Sequence, residues 1–263
     1  MKIATWNING IKARHENLII WLKEAQPDIA CLQEIKSVDE NFPRSEIESL
    51  GYNLETHGQK SFNGVALLSK LPFEEVNRGL PLLDGDAEDP QARFIEGVFN
   101  VEGKPLRVAC LYLPNGNPVD TEKFPYKLSW MKRLEAWAAE RLSLEEPLIL
   151  AGDYNVIPMP KDCYDEKAWE GDALYRPESR AAFRSLLNLG FTEALRATNE
   201  DAGVYTFWDY QAGAWPKNNG IRIDHLLLSP EAAQNFKAVE IDKHTRDWEK
   251  PSDHVPIWIE YSN

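Results

Sequence analysis

Short apolar runs recur from one end of this chain to the other, each bounded by turn residues. They span Lys2–Trp6, Asp28–Leu32, Gly64–Ser69, Phe94–Val101, Leu106–Leu113, Leu148–Gly152, Ile221–Leu228 and Val255–Tyr261. Runs of this length and composition read as strands. Between them lie segments of helical period. Leu18, Leu22 and Ala25 share a face, and Pro27 stops that helix. Leu128, Met131, Leu134, Ala138 and Leu142 share the face of a longer helix that ends before Pro147. Phe183, Leu186 and Leu187 mark a third, opened near Pro177 and closed by Gly190. Helix and strand mix along the whole length, so the expected class is α/β, with sheets covered by helices. No Ser/Gly-rich linker divides the chain, so residues 1–263 are expected to form a single domain. The segments Asp84–Pro90, Asn115–Pro125 and Pro158–Arg176 read as long irregular loops, which are usually functional or mobile.

Five polar clusters sit at the tips of these runs. They are Trp6-Asn7-Ile8-Asn9-Gly10, Leu32-Gln33-Glu34-Ile35-Lys36, Gly152-Asp153-Tyr154-Asn155, Arg222-Ile223-Asp224-His225 and Ser252-Asp253-His254-Val255-Pro256. Together they supply carboxylates, carboxamides and imidazoles. That set suits a hydrated divalent cation and an in-line attack of water on a phosphate ester. Clusters at the two ends must then meet in space, which also argues for one domain.

The net charge of −13 argues against a protein that coats nucleic acid, since such proteins carry basic stripes. It does not argue against a metal-dependent enzyme that visits nucleic acid, because cations neutralise clustered carboxylates locally. Lys12, Arg14, Lys36, Lys60, Lys217 and Arg222 are candidates for a local basic rim. No apolar run approaches the ~20 residues that span a bilayer, and the first residues lack a signal-peptide core. Cys31, Cys110 and Cys163 are odd in number and widely spaced, as expected of free thiols in a reducing compartment. A cytoplasmic protein with no membrane association is the expectation.

Glu34 ends an apolar strand, where a carboxylate faces a cleft. It is a hard oxygen ligand suited to Mg²⁺ or Mn²⁺. Asn7 also ends a strand and is expected to add a neutral oxygen beside the ion; a plain turn residue is the alternative. Lys36 pairs with a site carboxylate or a substrate phosphate, or is a loop charge. Asp153 and Asn155 lie two apart in an extended segment and so face the same side. The carboxylate can accept a proton from water, and the carboxamide can donate to a phosphate oxygen. His254 can donate to a phosphate oxygen or take a proton, with Asp224 orienting the ring from its other nitrogen. His225, next to Asp224, should face the other way and be structural. Tyr112 and Asn115 can reach the same anion. Phe207 and Trp208 are candidate walls for a sugar or base.

With all five clusters in place, the chain resembles the exonuclease III family of abasic-site endonucleases, within the endonuclease/exonuclease/phosphatase superfamily. GDYN and SDHVP are shared across the superfamily. WNINGIKAR, LQEIK, YTFWDY and IRIDHLLLS are closer to the DNA-repair branch. The resemblance covers nearly the whole chain and implies a four-layered α/β sandwich, two packed mixed β-sheets flanked by helices. It implies a metal group of Asn7, Glu34 and Asp253, and a water- and phosphate-positioning pair of Asp153 and Asn155. It implies a dyad of Asp224 and His254, a phosphate-contacting Tyr112, and a sugar pocket from Phe207, Trp208, Ile221 and Ile223. The activity implied is Mg²⁺-dependent cutting 5′ to abasic sites in double-stranded DNA and processing of 3′ ends, by a monomer. The chain departs from some members at Ile221, where they carry tryptophan. Its loop Asn115–Val119 lacks their arginine, and Gln211 replaces their wedge residues.

Two other readings stand beside this one. A phosphoesterase for inositol phosphates or phospholipids would keep the chemistry and change the loops. A non-catalytic binding protein on the same fold would have lost at least one key group, and none is missing.

Overall fold

The computed structural model describes residues 1–262; Asn263, the last residue of the expected single domain, lies outside the described residues. In chain order the first half contains β1 Lys2–Asn7, α1 Ile11–Ala25, β2 Ile29–Gln33, α2 Arg44–Ser49, β3 Asn53–His57, β4 Val65–Ser69 and β5 Glu75–Arg78. Then come β6 Phe94–Val101, β7 Lys104–Tyr112, α3 Lys123–Leu142, β8 Leu148–Asp153, α4 Glu166–Trp169 and α5 Pro177–Asn188. The chain finishes with β9 Thr192–Glu193, α6 Ala214–Lys217, β10 Asp224–Leu228, α7 Pro230–Ala233, β11 Phe236–Ile241 and β12 Ile257–Tyr261.

These strands form two six-stranded sheets, ordered β11-β12-β1-β2-β4-β3 and β5-β6-β7-β8-β10-β9. Each is mixed, and each is built on a parallel pair crossed by a helix: β1-α1-β2 in one, β7-α3-β8 in the other. The two sheets share this plan. Strand alternation then assigns every apolar side chain to a layer. Ile3, Cys31, Leu67, Val108, Ile149 and Ile257 point inward and pack the two sheets together. Ala4, Leu32 and Leu68 point outward, under Leu18, Trp21 and Leu22 of α1. Leu111, Leu148 and Leu227 point outward from the second sheet, under Trp130, Leu134, Phe183 and Leu186 of α3 and α5. The result is the expected four-layered sandwich.

At Gly152 two neighbouring strands approach closely. A Cβ there would lie 2.0 Å from the carbonyl oxygen of Leu111, so β7 and β8 close only around glycine.

The structure departs from the sequence reading at several places. Strands β3, β5, β9 and β11 lie at or next to the sheet edges, half exposed or very short, and carry no strong apolar signature. Helix α3 begins at Lys123, inside the expected Asn115–Pro125 loop, and α4 interrupts Pro158–Arg176. Residues 221–223 and 255–256 lie outside the strands expected to contain them. The buried face of α3 is also shifted. Leu128 is only half-buried, while Lys127 and Trp130 are buried beside Met131, Leu134 and Ala138.

Candidate active site

In a parallel pair both strands end at the same edge, and an antiparallel neighbour begins there. Asn7 ends β1 and Glu34 follows β2; Tyr112 ends β7 and Asp153 ends β8. Asp224 begins β10 directly opposite Asp153. The segment before β12 delivers Asp253 and His254 to the same edge. Ligand sites of α/β sheets lie at carboxyl ends of strands for this reason. Here two stacked sheets contribute one edge each.

The side chain of Asn7 joins the two halves. Its Nδ2 donates to Glu34 Oε2 at 3.0 Å and to Asp153 Oδ2 at 2.9 Å. Its Oδ1 accepts from the backbone N–H of Asn9 at 3.0 Å. This corrects the expectation of a neutral oxygen ligand: with a carboxylate on each side and an N–H behind, only this amide orientation satisfies every partner. Asn9 forms the next link. Its Nδ2 donates to Asp253 Oδ1 at 3.0 Å and its Oδ1 accepts from Lys36 Nζ at 2.7 Å. Lys36 Nζ also lies 3.2 Å from Glu34 Oε1. Glu34 and Asp253 are half-buried, so both present oxygen to the cleft. Two carboxylates held by amide donors, open to solvent, fit a hard divalent cation that keeps its waters.

Asn9, Glu34, Lys36 and Asn155 all have φ between 46° and 53°. The left-handed region costs an L-residue on the order of 1–3 kcal/mol, and such outliers gather at functional sites.

His254 lies between two carboxylates. Its Nδ1 is 2.9 Å from Asp224 Oδ2, and its Nε2 is 3.7 Å from Asp153 Oδ2. All three residues are buried. Burial alone would lower the histidine's pKa, but Asp224 and Asp153 outweigh it and raise it. The Asp153 carboxyl is also raised, first by burial and then by Asp224, against His254 and the Asn7 amide. One ligand atom from each of the three lies within 4.8 Å of the others, close enough to hold an ion.

Tyr112 extends from β7 toward these groups. Burial first, then the charges of Glu34 and Asp153, push its pKa up against the guanidinium of Arg93. Arg93 stacks 4.9 Å from the Tyr112 ring and donates to its carbonyl. Asn155 Nδ2 donates to Leu113 O at 2.8 Å, and its Oδ1 accepts from Asn115 Nδ2 at 3.4 Å. Asn115 is exposed and opens toward the cleft edge.

The fourth wall is a ribbon at Thr206–Trp208. Phe207 pairs with both Ile221 and His254, and Trp208 N–H donates to Asp253 O. Thr206 Oγ1 accepts from the N–H groups of Ile223 and Asp224. This ribbon ties residues 221–224 to 252–255. The Phe207 ring sits 5.0 Å from the His254 ring, half-exposed, over an apolar cluster containing Ile221 and Ile223. Trp208 is a correction. It is 0% exposed and packs with Tyr205 and Trp215 on the other side of the ribbon. Neighbours in extended chain face opposite ways, so only one of the two aromatics can reach the cleft.

Arg222 is a second correction, because it belongs to no surface rim. It is fully buried and pairs with Asp162 at 2.8 Å and Glu193 at 3.0 Å. His225 faces away from the cleft, as expected, and meets Arg222 and Val156 O. Sequence reasoning passed over Asn9, whose role depends on partners from distant segments. Phe62 is 67% exposed on a loop whose Asn63 carbonyl accepts from the Lys36 N–H.

The profile of the "Endonuclease/Exonuclease/phosphatase family" matches residues 4–254. Exodeoxyribonuclease III of Haemophilus influenzae is 36% identical, over 99% of this chain and 100% of its own length. An exodeoxyribonuclease of Bacillus subtilis is 30% identical over 98% of both. Among solved structures, the 3′ phosphatase NExo from Neisseria, bound to a product DNA hairpin, superposes with a TM-score of 0.93 at 36% identity, covering both chains fully. An AP endonuclease from Archaeoglobus fulgidus gives 0.91 at 34% identity, again over both full chains. A match this long, on a fold whose sheet edges converge on these carboxylates, places the chain in the endonuclease/exonuclease/phosphatase family.

Proposed function

We propose that this chain is a metal-dependent DNA phosphodiesterase of base-excision repair, cutting 5′ to abasic sites in double-stranded DNA and processing 3′ ends. The observation that carries the reading is the Asn7 amide, which holds a cleft carboxylate, Glu34, on one side and the buried Asp153 on the other. A cation-binding group and a proton acceptor are thereby fixed beside each other. The exodeoxyribonuclease, 3′ phosphatase and AP endonuclease relatives support DNA as substrate.

Glu34 and Asp253 would hold the cation, Mg²⁺ or Mn²⁺, with Asn7 and Asn9 steering the two carboxylates. Such an ion supplies charge stabilisation at the departing 3′ oxygen. Asp153 orients the attacking water and accepts its proton. His254, with a carboxylate facing each nitrogen, acts as an imidazolium that stabilises the phosphate charge. Asn155, Asn115, Tyr112 and Lys36 complete the anion's surroundings, and Phe207 over Ile221 and Ile223 forms the sugar pocket. The pairing of β1 with β12 joins the two ends of the chain in one sheet, which supports one domain; this domain would act as a monomer. Three buried free cysteines support a cytoplasmic setting, and among the described residues no helix is long and apolar enough to cross a membrane.

The test is incision of a duplex carrying one abasic analogue, with Mg²⁺ and then with chelator, beside undamaged duplex. Metal-dependent cutting at the lesion supports the reading. Release of phosphate from a small phosphoester, without cutting of DNA, would move the chain to another branch of the family.

A further inference from the structure

Helix α3 carries a lysine where its apolar face should continue. Lys127 is 0% exposed. Its Nζ donates to the carbonyl oxygen of Asn155 at 2.5 Å and to that of Asn115 at 3.1 Å. No other donor reaches either carbonyl among the described residues. Its hydrogen-bond partners include no carboxylate, which is unusual for a buried ammonium. The stem is equally constrained. A Cβ on Gly116, which has φ +89°, would lie 2.7 Å from Lys127 Cδ, so the loop is moulded around the lysine.

The two carbonyls belong to the two asparagines whose carboxamides meet at the cleft, where Asn115 Nδ2 donates to Asn155 Oδ1. Asn155 has a left-handed backbone, φ 46°, which turns its carbonyl inward toward the helix. Without the ammonium, both carbonyls would be left without a donor, at a cost to the turns that carry them.

We propose that Lys127 is a positioning residue for phosphodiester cleavage, a brace from the helix layer that fixes the directions of the Asn115 and Asn155 carboxamides. It touches no substrate. Burial lowers its pKa to about 7, against the pull of Asp153 and Asp172 and with Arg93 adding to the lowering, as befits an amine without a counter-ion. The inference rests on the nuclease reading above.

The test is a double-mutant cycle on the metal-loaded full chain with abasic duplex DNA. K127M keeps the length of the stem and removes the donor. It should lower kcat by roughly 100-fold, as a small misplacement of catalytic groups does, while KM and the Kd for DNA change little. In an N115A/N155A background the same substitution should cost almost nothing, because both carboxamides it positions are gone. Equal losses in both backgrounds, or wild-type kcat in K127M, would overturn the proposal. If K127M does not fold, K127Q, which retains N–H donors on a shorter stem, carries the same cycle: a smaller kcat loss that vanishes beside N115A/N155A supports the brace, and an additive loss overturns it. If wild-type protein leaves DNA uncut, the nuclease reading has failed and not the brace.

Discussion

His254 Nδ1 stands 2.9 Å from Asp224 Oδ2, a contact between the start of β10 and the loop before β12. The contact fixes the ring plane and keeps the imidazole charged. Asp224→Asn keeps the shape and removes the charge. We expect kcat to fall by about 10²–10⁴-fold, as for other oriented histidines, with DNA affinity preserved. Single-turnover cleavage together with a binding isotherm separates the two; undiminished turnover would remove Asp224 from the site.

Asp153→Asn removes the proposed proton acceptor and keeps only one of the two contacts, since Asn7 Nδ2 donates to Oδ2 and the Asn155 N–H to Oδ1 while an amide has one accepting oxygen. Turnover should drop by at least ~10²-fold, with binding of abasic duplex close to wild type. Near-normal cleavage in this variant would sink the assigned role.

Phe207 and Trp208 should separate function from stability. Phe207→Ala should narrow the preference for abasic DNA over ordinary 3′ ends while unfolding near the wild-type midpoint. Trp208→Ala should do the reverse, costing about 3–5 kcal/mol of stability through the cavity it leaves. Kinetics on the two substrates and denaturant melts check both, and equal losses on both substrates for Phe207→Ala would argue against a sugar pocket.

Phe62 is an exposed ring beside the Lys36 segment. Phe62→Ala should raise the Kd for DNA with an unpaired end by at least about 5-fold, the low end of the roughly 1–3 kcal/mol for a ring stacked on an unpaired base, and leave the melt unchanged. Unaltered affinity would make it an idle surface residue.

The buried cluster around Arg222 sets the acid limit of the fold. Burial alone would raise the Glu193 pKa, but Arg222 and His225 outweigh it and hold it at about 2. Asp162 is likewise depressed by Arg222 and Arg196 against burial. Both folded-state values lie below the unfolded ones, so the unfolded chain binds more protons as acid is added. The stabilisation is complete above about pH 4.5 and is lost as the pH falls toward 2. Arg222→Met, which takes the guanidinium from Glu193 and leaves Asp162 with Arg196 alone, should cost about 3–5 kcal/mol near neutral pH. It should also flatten the acid limb of the melting profile, because carboxylates no longer held down lose less stability on protonation. A profile with the same acid limb in both proteins would contradict this.

The sequence by itself determined which segments are strands with buried faces, the α/β class, and the chemical inventory at the strand tips. Those properties are local: alternation, period and turn residues act within a few positions. Strands β3, β5, β9 and β11 escaped because edge or near-edge positions need little apolar surface, and the start of α3 at Lys123 lay hidden in a polar segment. The tertiary structure alone decided which way each polar group points. Asn7 became a donor because two distant carboxylates flank it. Arg222 went inward because Asp162 and Glu193 wait there. Trp208 went to the core because Phe207 took the cleft side. Lys127 reads as one more surface cation until the loops of Asn115 and Asn155 fold over it. In each case the partner lies far away in sequence, and a polar side chain's role is set by the partner that satisfies it.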